Sequence, residues 1–209
     1  MIKYSKIFFY FLILLFSKTI FASSSASYLI SQTAFNNYDF TQVLNEYNNE
    51  KNKDYKNEYL DELISAVVTE NNDLTNRISK RILLADPNNQ EAKLVTMIRA
   101  IKNKHDDDLF SLRYNGSKDE NGLFEFIFFL NDKIKSKTEI SNSFLEIVKS
   151  SYSKQSNNYF QNYNLLLFYT SLSILIDNEN YEAIYIKGQL LQMIDDYFFA
   201  EATYLKIPE

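Results

Sequence analysis

The sequence predicts an all-α protein, built as a superhelix (solenoid) of stacked antiparallel helical hairpins. The first observation behind this prediction is a shortage of turn residues, since the 209 residues include only three Gly and two Pro. Sandwiches and barrels need a turn about every 8–12 residues, and doubly wound folds need glycine-rich loops. The second observation is a pattern of small, acidic and apolar residues that recurs with a step of 34 residues. Stacked helical hairpins that share one core account for both observations.

The amino terminus, residues 1–22, has the order of a secretory signal peptide. Lys3 and Lys6 precede an uninterrupted apolar run over residues 7–16, and a lysine and several small residues follow it. A membrane span needs about 20 apolar residues. We therefore expect a cleaved signal, export to the periplasm and no membrane span in the mature chain. The alternative is an uncleaved anchor over residues 7–22.

Four segments of the chain share one pattern, in which a small residue is followed eight positions later by Asp and then by a large apolar residue. Two antiparallel helices cross closely where a side chain is small. Asp at the start of the second helix can accept hydrogen bonds from free backbone N–H groups. We therefore predict four hairpins of this kind. Their small residue and Asp are Ser31 and Asp39, Ser65 and Asp73, Ala100 and Asp108, and Gly188 and Asp196.

This pattern resembles the tetratricopeptide repeat. The last copy, residues 181–207, carries the small and aromatic residues of the family's hairpin at Gly188, Ala200 and Tyr204. The second copy ends in Leu-Ala-Asp-Pro at residues 84–87, which is similar to the family's turn between repeats. The resemblance implies a right-handed superhelix of hairpins.

The repeats divide the chain into segments after the signal peptide. Residues 23–115 are predicted to form about 2.5 to 3 tetratricopeptide-like hairpins, and residues 181–209 form a further copy. Residues 116–180 are predicted to be degenerate helical hairpins. Within them the apolar run 123–130 is predicted to be a buried helix, although a strand also fits its pattern. Because no polar capping helix precedes Glu209, we expect either a longer chain or a partner that covers this end.

The composition also excludes several classes of function. The chain has 27 acidic and 22 basic residues, and without the three Lys of the first 22 residues its net charge is −8. Such a surface repels phosphate backbones, so nucleic-acid binding is not expected. The absence of Cys excludes thiol catalysis, disulfides and Cys-ligated metals.

No pattern in the sequence predicts a catalytic, cofactor or metal site. The cluster from His105 to Asp108 has the donor atoms of a divalent-cation site, but the repeat register makes it the start of a helix. Adjacent acids such as Asp61 and Glu62 point to different faces of a helix, which does not favour paired acid–base catalysis. We therefore predict a non-enzymatic protein without cofactor or metal.

The resemblance implies that the first helix of each hairpin lines a concave groove for an extended peptide or a partner helix. This predicts a protein–protein interaction module that binds an unidentified polypeptide. The alternatives are a self-assembling structural repeat, joined through its C-terminal end, or the interaction half of a longer enzyme or envelope-assembly or secretion protein. The groove positions are Tyr28, Gln32, Phe35 and Asn36 in the first copy, Tyr59, Glu62, Ala66, Thr69 and Glu70 in the second, Met97, Ile101, Lys104 and His105 in the third, and Tyr185, Gln189, Gln192 and Met193 in the last.

Overall fold

The structure is a computed structural model, and its described part is predominantly helical, which confirms the predicted all-α class. Helices that follow one another in sequence pack side by side as hairpins, an arrangement compatible with a helical repeat. The chain separates into two compact units, residues 1–55 and residues 56–209. The predicted signal peptide lies outside the described residues. The structure describes residues 26–49, 59–104, 122–154 and 162–208.

The first unit is a hairpin of α1, described over residues 26–36, and α2, Phe40–Asn49. Its buried apolar side chains on α2 follow helical spacing and form one stripe. The rings of Phe35 and Phe40 meet edge to face, with centroids 6.3 Å apart. Ser27 Oγ on α1 donates a hydrogen bond to Glu46 Oε2 on α2 at 2.8 Å. The stripe on α2 comprises Phe40, Val43, Leu44 and Tyr47.

The second unit begins with three helices that pack in sequence order. They are α3, Tyr59–Val68, α4, Asn72–Ala85, and α5, Gln90–Asn103. Eight of the ten residues of α3 are buried. The helix α3 is therefore an interior helix, with little surface left for solvent.

The next elements are a short helix, a β-hairpin and a long helix. They are α6, Leu123–Phe128, then β1, Phe129–Leu130, β2, Lys133–Ile134, and α7, Lys137–Lys154. The strands are antiparallel, with Phe129 paired to Ile134. The two residues between the strands both have positive φ, as a tight type I′ hairpin turn requires. The apolar run 123–130 therefore forms a helix and then turns into a strand.

The core of the second unit is centred on α8, Tyr163–Ile176. This helix packs against α7 and against α9, Tyr181–Met193, and it also contacts α3 and α5. Phe168 and Leu172 are completely buried. The last helix, α10, Tyr197–Tyr204, packs against α9. The helix α8 therefore packs against helices that are distant in sequence as well as against its neighbours.

Three hairpins of the described chain share one turn geometry. The last residue of the loop is left-handed in each case, with φ near 60° at Tyr38, Glu70 and Asp195. The next residue donates its N–H to the carbonyl five positions earlier, at 2.8–2.9 Å, which closes the end of the first helix. That same residue caps the second helix through its side chain. The capping residues are Asp39, Asn71 and Asp196.

This shared turn corrects the predicted register of the second copy. The side chain that caps α4 is Asn71, whose Oδ1 accepts from the N–H of Leu74 at 3.2 Å, and Asp73 lies inside the first turn. In the first and last hairpins, the predicted small residue, Ser31 or Gly188, lies seven positions before the left-handed residue. In the second hairpin the residue at that distance is Leu63. Ser65 and Asp73 are therefore displaced by two residues from the positions that the pattern assigned to them. Asp108 lies outside the described residues.

The helix pair α4–α5 recurs as α8–α9, 91 residues further along the chain. Asn71 and Asn162 cap the first helix of each pair with φ of −79° in both. Asp86 and Asp177 end that helix in extended conformation, and an Asn three residues later caps the next helix. Both turns read Asp-x-x-Asn-x-Glu-Ala. A repeated local sequence therefore produces a repeated local structure, as expected for a helical repeat.

Candidate interaction surface

The helix α9 presents one continuous exposed face to solvent. Its buried residues lie on the opposite side, because they recur at helical spacing toward α8 and α10. Tyr185 is 51% exposed and Met193 is 54% exposed. The four positions predicted for the groove of the last copy all lie on this surface, which we call the α9 face. Its members are Tyr181, Tyr185, Gln189, Gln192 and Met193.

The absence of a side chain at Gly188 shapes the edge of the α9 face. A Cβ at this position would overlap the ring of Tyr204, so only glycine lets that ring lie against the backbone of α9. The Tyr204 hydroxyl donates to Gln192 Oε1 at 3.1 Å, and its ring lies 5.9 Å from the ring of Tyr185. Gln189 Nε2 donates to the Tyr185 hydroxyl at 3.3 Å. These contacts hold two tyrosines and two amides in fixed orientations.

The phenol of Tyr204 stays neutral over a wide pH range. Desolvation is the main cause that raises its pKa, and the neighbouring Tyr185 adds to the effect. The hydroxyl therefore remains a hydrogen-bond donor to Gln192 at physiological pH.

An ion triad around the buried ammonium of Lys187 fixes the opposite side of α9. Lys187 is 2% exposed, and its Nζ donates to the Val68 carbonyl at 2.8 Å and to Glu70 Oε1 at 3.0 Å. Lys206, just after α10, contacts both carboxylate oxygens of Glu70 at 2.6 and 2.7 Å. Glu70 lies on the left-handed turn between α3 and α4. The triad therefore joins the α9–α10 hairpin to a turn more than a hundred residues earlier.

Burial and charge act in opposite directions on the pKa values of Lys187 and Glu70. Desolvation lowers the pKa of the Lys187 ammonium, and the attraction of Glu70 opposes that shift. Burial alone raises the pKa of the Glu70 carboxyl, but Lys187 and Lys206 outweigh it and hold the pKa below its usual value. Glu70 is therefore ionised at neutral pH, where it compensates the buried ammonium.

The first copy presents fewer of its predicted groove residues. Tyr28 and Asn36 are exposed and Gln32 is half-buried. Phe35 is 9% exposed and packs against Phe40 inside the hairpin, so its prediction as a groove residue is wrong. Aromatic residues at helical spacing serve the core here, where the two helices must fill the volume between them.

The predicted groove positions of the second and third copies are only partly open to solvent. Tyr59, Glu62 and Ala66 are buried on α3, and Met97 is buried on α5. The guanidinium of Arg81 lies 4.4 Å from the centre of the Tyr59 ring and covers it. The remaining positions are half-buried, at Thr69 and Ile101, or exposed, at Glu70 and Lys104. His105 lies outside the described residues.

A polar cleft of about 330 Å³ lies between the α3–α4 turn, α5, α7 and α8. The ammonium of Lys102 on its wall donates to the carbonyl of Leu175 at 3.0 Å, near the C-terminus of α8. This contact satisfies a helix-end carbonyl and favours the negative end of the helix dipole. Lys102 thus has a structural role at the C-terminal end of α8.

Residues 26–49, 59–104, 122–154 and 162–208 contain no group of three acidic, His or Cys side chains placed to hold a metal ion. In the same ranges, no helix combines the length and the apolar character that crossing a bilayer requires.

The class that the fold defines is an all-α protein of packed helical hairpins with repeated turns. No family model, curated protein or solved structure matches the chain. The residues and their geometry therefore carry the functional interpretation.

Proposed function

We propose that this chain is an exported, non-enzymatic interaction module of the tetratricopeptide type that binds a partner polypeptide on the α9 face. The observation that carries the proposal is the ordered array of Tyr185, Gln189, Gln192 and Tyr204. Aromatic residues with polar tips are the side chains that dominate protein–protein interfaces. The repeated turns of the hairpins support the tetratricopeptide type.

The proposed mechanism combines burial of aromatic surface with hydrogen bonding to the partner's backbone. Tyr185 and Met193 lose exposed apolar area on binding, and the amides of Gln189 and Gln192 bond to peptide groups. Because neighbouring side chains already orient Tyr185, little rotamer freedom is lost on binding. The α9 face lacks a cluster of cations, so a partner held by its terminal carboxylate is not expected.

Export rests on the order of residues 1–22. If the signal is cleaved, N-terminal sequencing of the secreted protein should give a start between Ser23 and Ser27. A mature chain that still begins at Met1 and sediments with membranes would favour the anchor over residues 7–22.

The function is tested by cross-linking and co-purification of the tagged protein from its own cell envelope. We expect one dominant partner, retained by wild type and lost from the double variant Tyr185→Ala with Gln189→Ala. The matched control is Leu84→Ala, because Leu84 is 87% exposed on α4, away from the α9 face. Loss of the partner from both variants, or from neither, would contradict binding through the α9 face.

A further inference from the structure

The outer side of α10 carries an apolar stripe that no helix in the described part of the chain covers extensively. Phe198 is 76% exposed and Leu205 is 79% exposed, and Ala202 between them is exposed as well. Their spacing of four and three residues places them on one line along the helix. The buried residues Ala200 and Thr203 lie on the opposite side. We call Phe198, Ala202 and Leu205 the α10 stripe.

The equivalent side of α4 is also exposed, but it is polar. Asp73, Arg77 and Lys80 stand there, at the same distances from the capping residue as the members of the α10 stripe. The extensive packing of α10 is with α9. The apolar α10 stripe therefore has the composition of a helix-packing surface and not of a solvent-facing one.

Contacts at both ends of α10 hold the stripe in place. Asp196 caps the start of α10 by accepting from the N–H of Phe199 at 3.2 Å. At the other end, Lys206 is bound to Glu70 through both carboxylate oxygens. Leu205 is therefore exposed on an anchored helix end, where an ordered apolar side chain favours binding.

We propose that the α10 stripe is the two-fold interface of a homodimer. The stripe is self-complementary, because a large residue stands at each end and Ala202 stands near the middle. When two copies of α10 pack antiparallel, Phe198 of each copy meets Leu205 of the other. The small Ala202 then lies at the crossing, where helix axes approach to about 8 Å. A contact in which the same surface serves both copies closes as a dimer.

The exposed area fits a weak dimer. Tyr197 and Phe199 flank the stripe and are 62% and 40% exposed. Taking about 150–250 Å² for each fully exposed large side chain, this surface amounts to on the order of 500 Å² per copy. Two copies would bury on the order of 1,000 Å², which is the size of a weak, transient interface. We therefore expect dissociation in the micromolar range and no persistent dimer at nanomolar concentration.

The first test is the mass of the mature chain in analytical ultracentrifugation from nanomolar to high micromolar concentration. Wild type should shift from monomer to dimer, and the double variant Phe198→Lys with Leu205→Lys should remain monomeric. Leu84→Lys, a change of an equally exposed leucine on α4, should dimerise like wild type. A wild-type chain that stays monomeric throughout, or a double variant that still dimerises, would overturn the proposal.

The second test separates the two-fold dimer from a head-to-tail stack. The chain contains no Cys, so Ala202→Cys introduces a single thiol. In the antiparallel arrangement the two thiols lie within disulfide reach, which requires Cα atoms about 4.4–6.8 Å apart. Mild oxidation should therefore give a disulfide-linked dimer for Ala202→Cys and not for Leu84→Cys.

A head-to-tail stack has a different outcome in this test. It would be disrupted by Phe198→Lys with Leu205→Lys but would give no disulfide at Ala202→Cys, and this result would overturn the two-fold geometry. The variant Tyr185→Ala should dimerise normally. Dimerisation through the α10 stripe and partner binding on the α9 face are therefore tested by different variants.

Discussion

The helices α3 and α9 occupy the same place in their hairpins but face opposite environments. Each is followed by a left-handed residue, Glu70 or Asp195, and then by a helix that the next residue caps. Yet α3 is buried on nearly every side, and α9 exposes a row of aromatic and amide side chains. Both helices pack against α8, but α3 is apolar around most of its circumference, whereas α9 carries tyrosine and glutamine on one side. The hairpin turn sets the local structure, and the distribution of apolar residues around each helix decides which face stays exposed.

Removing packing from α8 should have the largest effect, because α8 packs against both α3 and α9. Leu172 is completely buried, so Leu172→Ala loses both transfer free energy and packing. We expect the free energy of unfolding to fall by about 2–5 kcal/mol in urea titrations. The control Leu84→Ala, on an exposed side chain, should change it by less than about 0.5 kcal/mol. Equal effects would contradict a core centred on α8.

The close contact between Gly188 and Tyr204 supports the exposed face of α9 and can be tested by substitution. A leucine at 188 must displace the Tyr204 ring, so Gly188→Leu should lower the free energy of unfolding by about 1–3 kcal/mol. It should also weaken partner binding, since Tyr204 orients Tyr185 and Gln192. The neighbouring change Gln189→Leu, on the exposed side, should leave stability within about 0.5 kcal/mol of wild type. Similar melting curves for the two variants would contradict this helix crossing.

The ion triad links the two helices and should give a smaller, pH-dependent effect. Glu70→Gln leaves the buried ammonium of Lys187 without its carboxylate. Because the Glu70 side chain is 42% exposed, we expect a loss of about 1–2 kcal/mol, below the value for a fully buried pair. The control Glu182→Gln removes an ion pair to Lys149 that is exposed on both sides and should cost less than about 0.5 kcal/mol.

The sign of the pH dependence follows from the lowered pKa of Glu70. A carboxyl whose pKa is lower in the folded state stabilises the fold above its unfolded pKa, near 4.5, and this contribution is lost as the pH falls through the folded pKa. The free energy of unfolding of wild type should therefore decrease as the pH falls below about 4.5. Glu70→Gln should lack this part of the decrease, and identical acid profiles for both proteins would contradict the triad.

The sequence predicted the local features of the fold and missed those that join distant residues. The scarcity of turn residues and the recurring pattern predicted helical hairpins, and Asp39 and Asp196 cap helices as expected. The start of the second helix in the second copy was predicted two residues too late. Asn71 and Asp73 are both residue types that cap helices, and the sequence pattern does not distinguish between them. Its turn also uses Glu70 in left-handed conformation, without the glycine that normally marks such a turn.

The burial of α3 and the ion triad could not be predicted from periodicity. Lys187 and Glu70 are separated by 117 positions, and nothing in the local sequence of either residue indicates the other. Tyr59 and Tyr185 are both aromatic residues at groove positions, yet one lies beneath Arg81 and the other faces solvent. The burial of Tyr59 depends on a tertiary contact, with Arg81 on α4, that periodicity within α3 does not indicate.

The most direct test of the account is site-specific photo-cross-linking in the cell envelope, with a photoreactive phenylalanine in place of Tyr185 or of Leu84. Both positions are exposed, but only Tyr185 lies on the α9 face. We expect one discrete adduct with a partner polypeptide from position 185 and no such adduct from position 84. Adducts from both positions alike, or none from position 185, would contradict a binding module that acts through the α9 face.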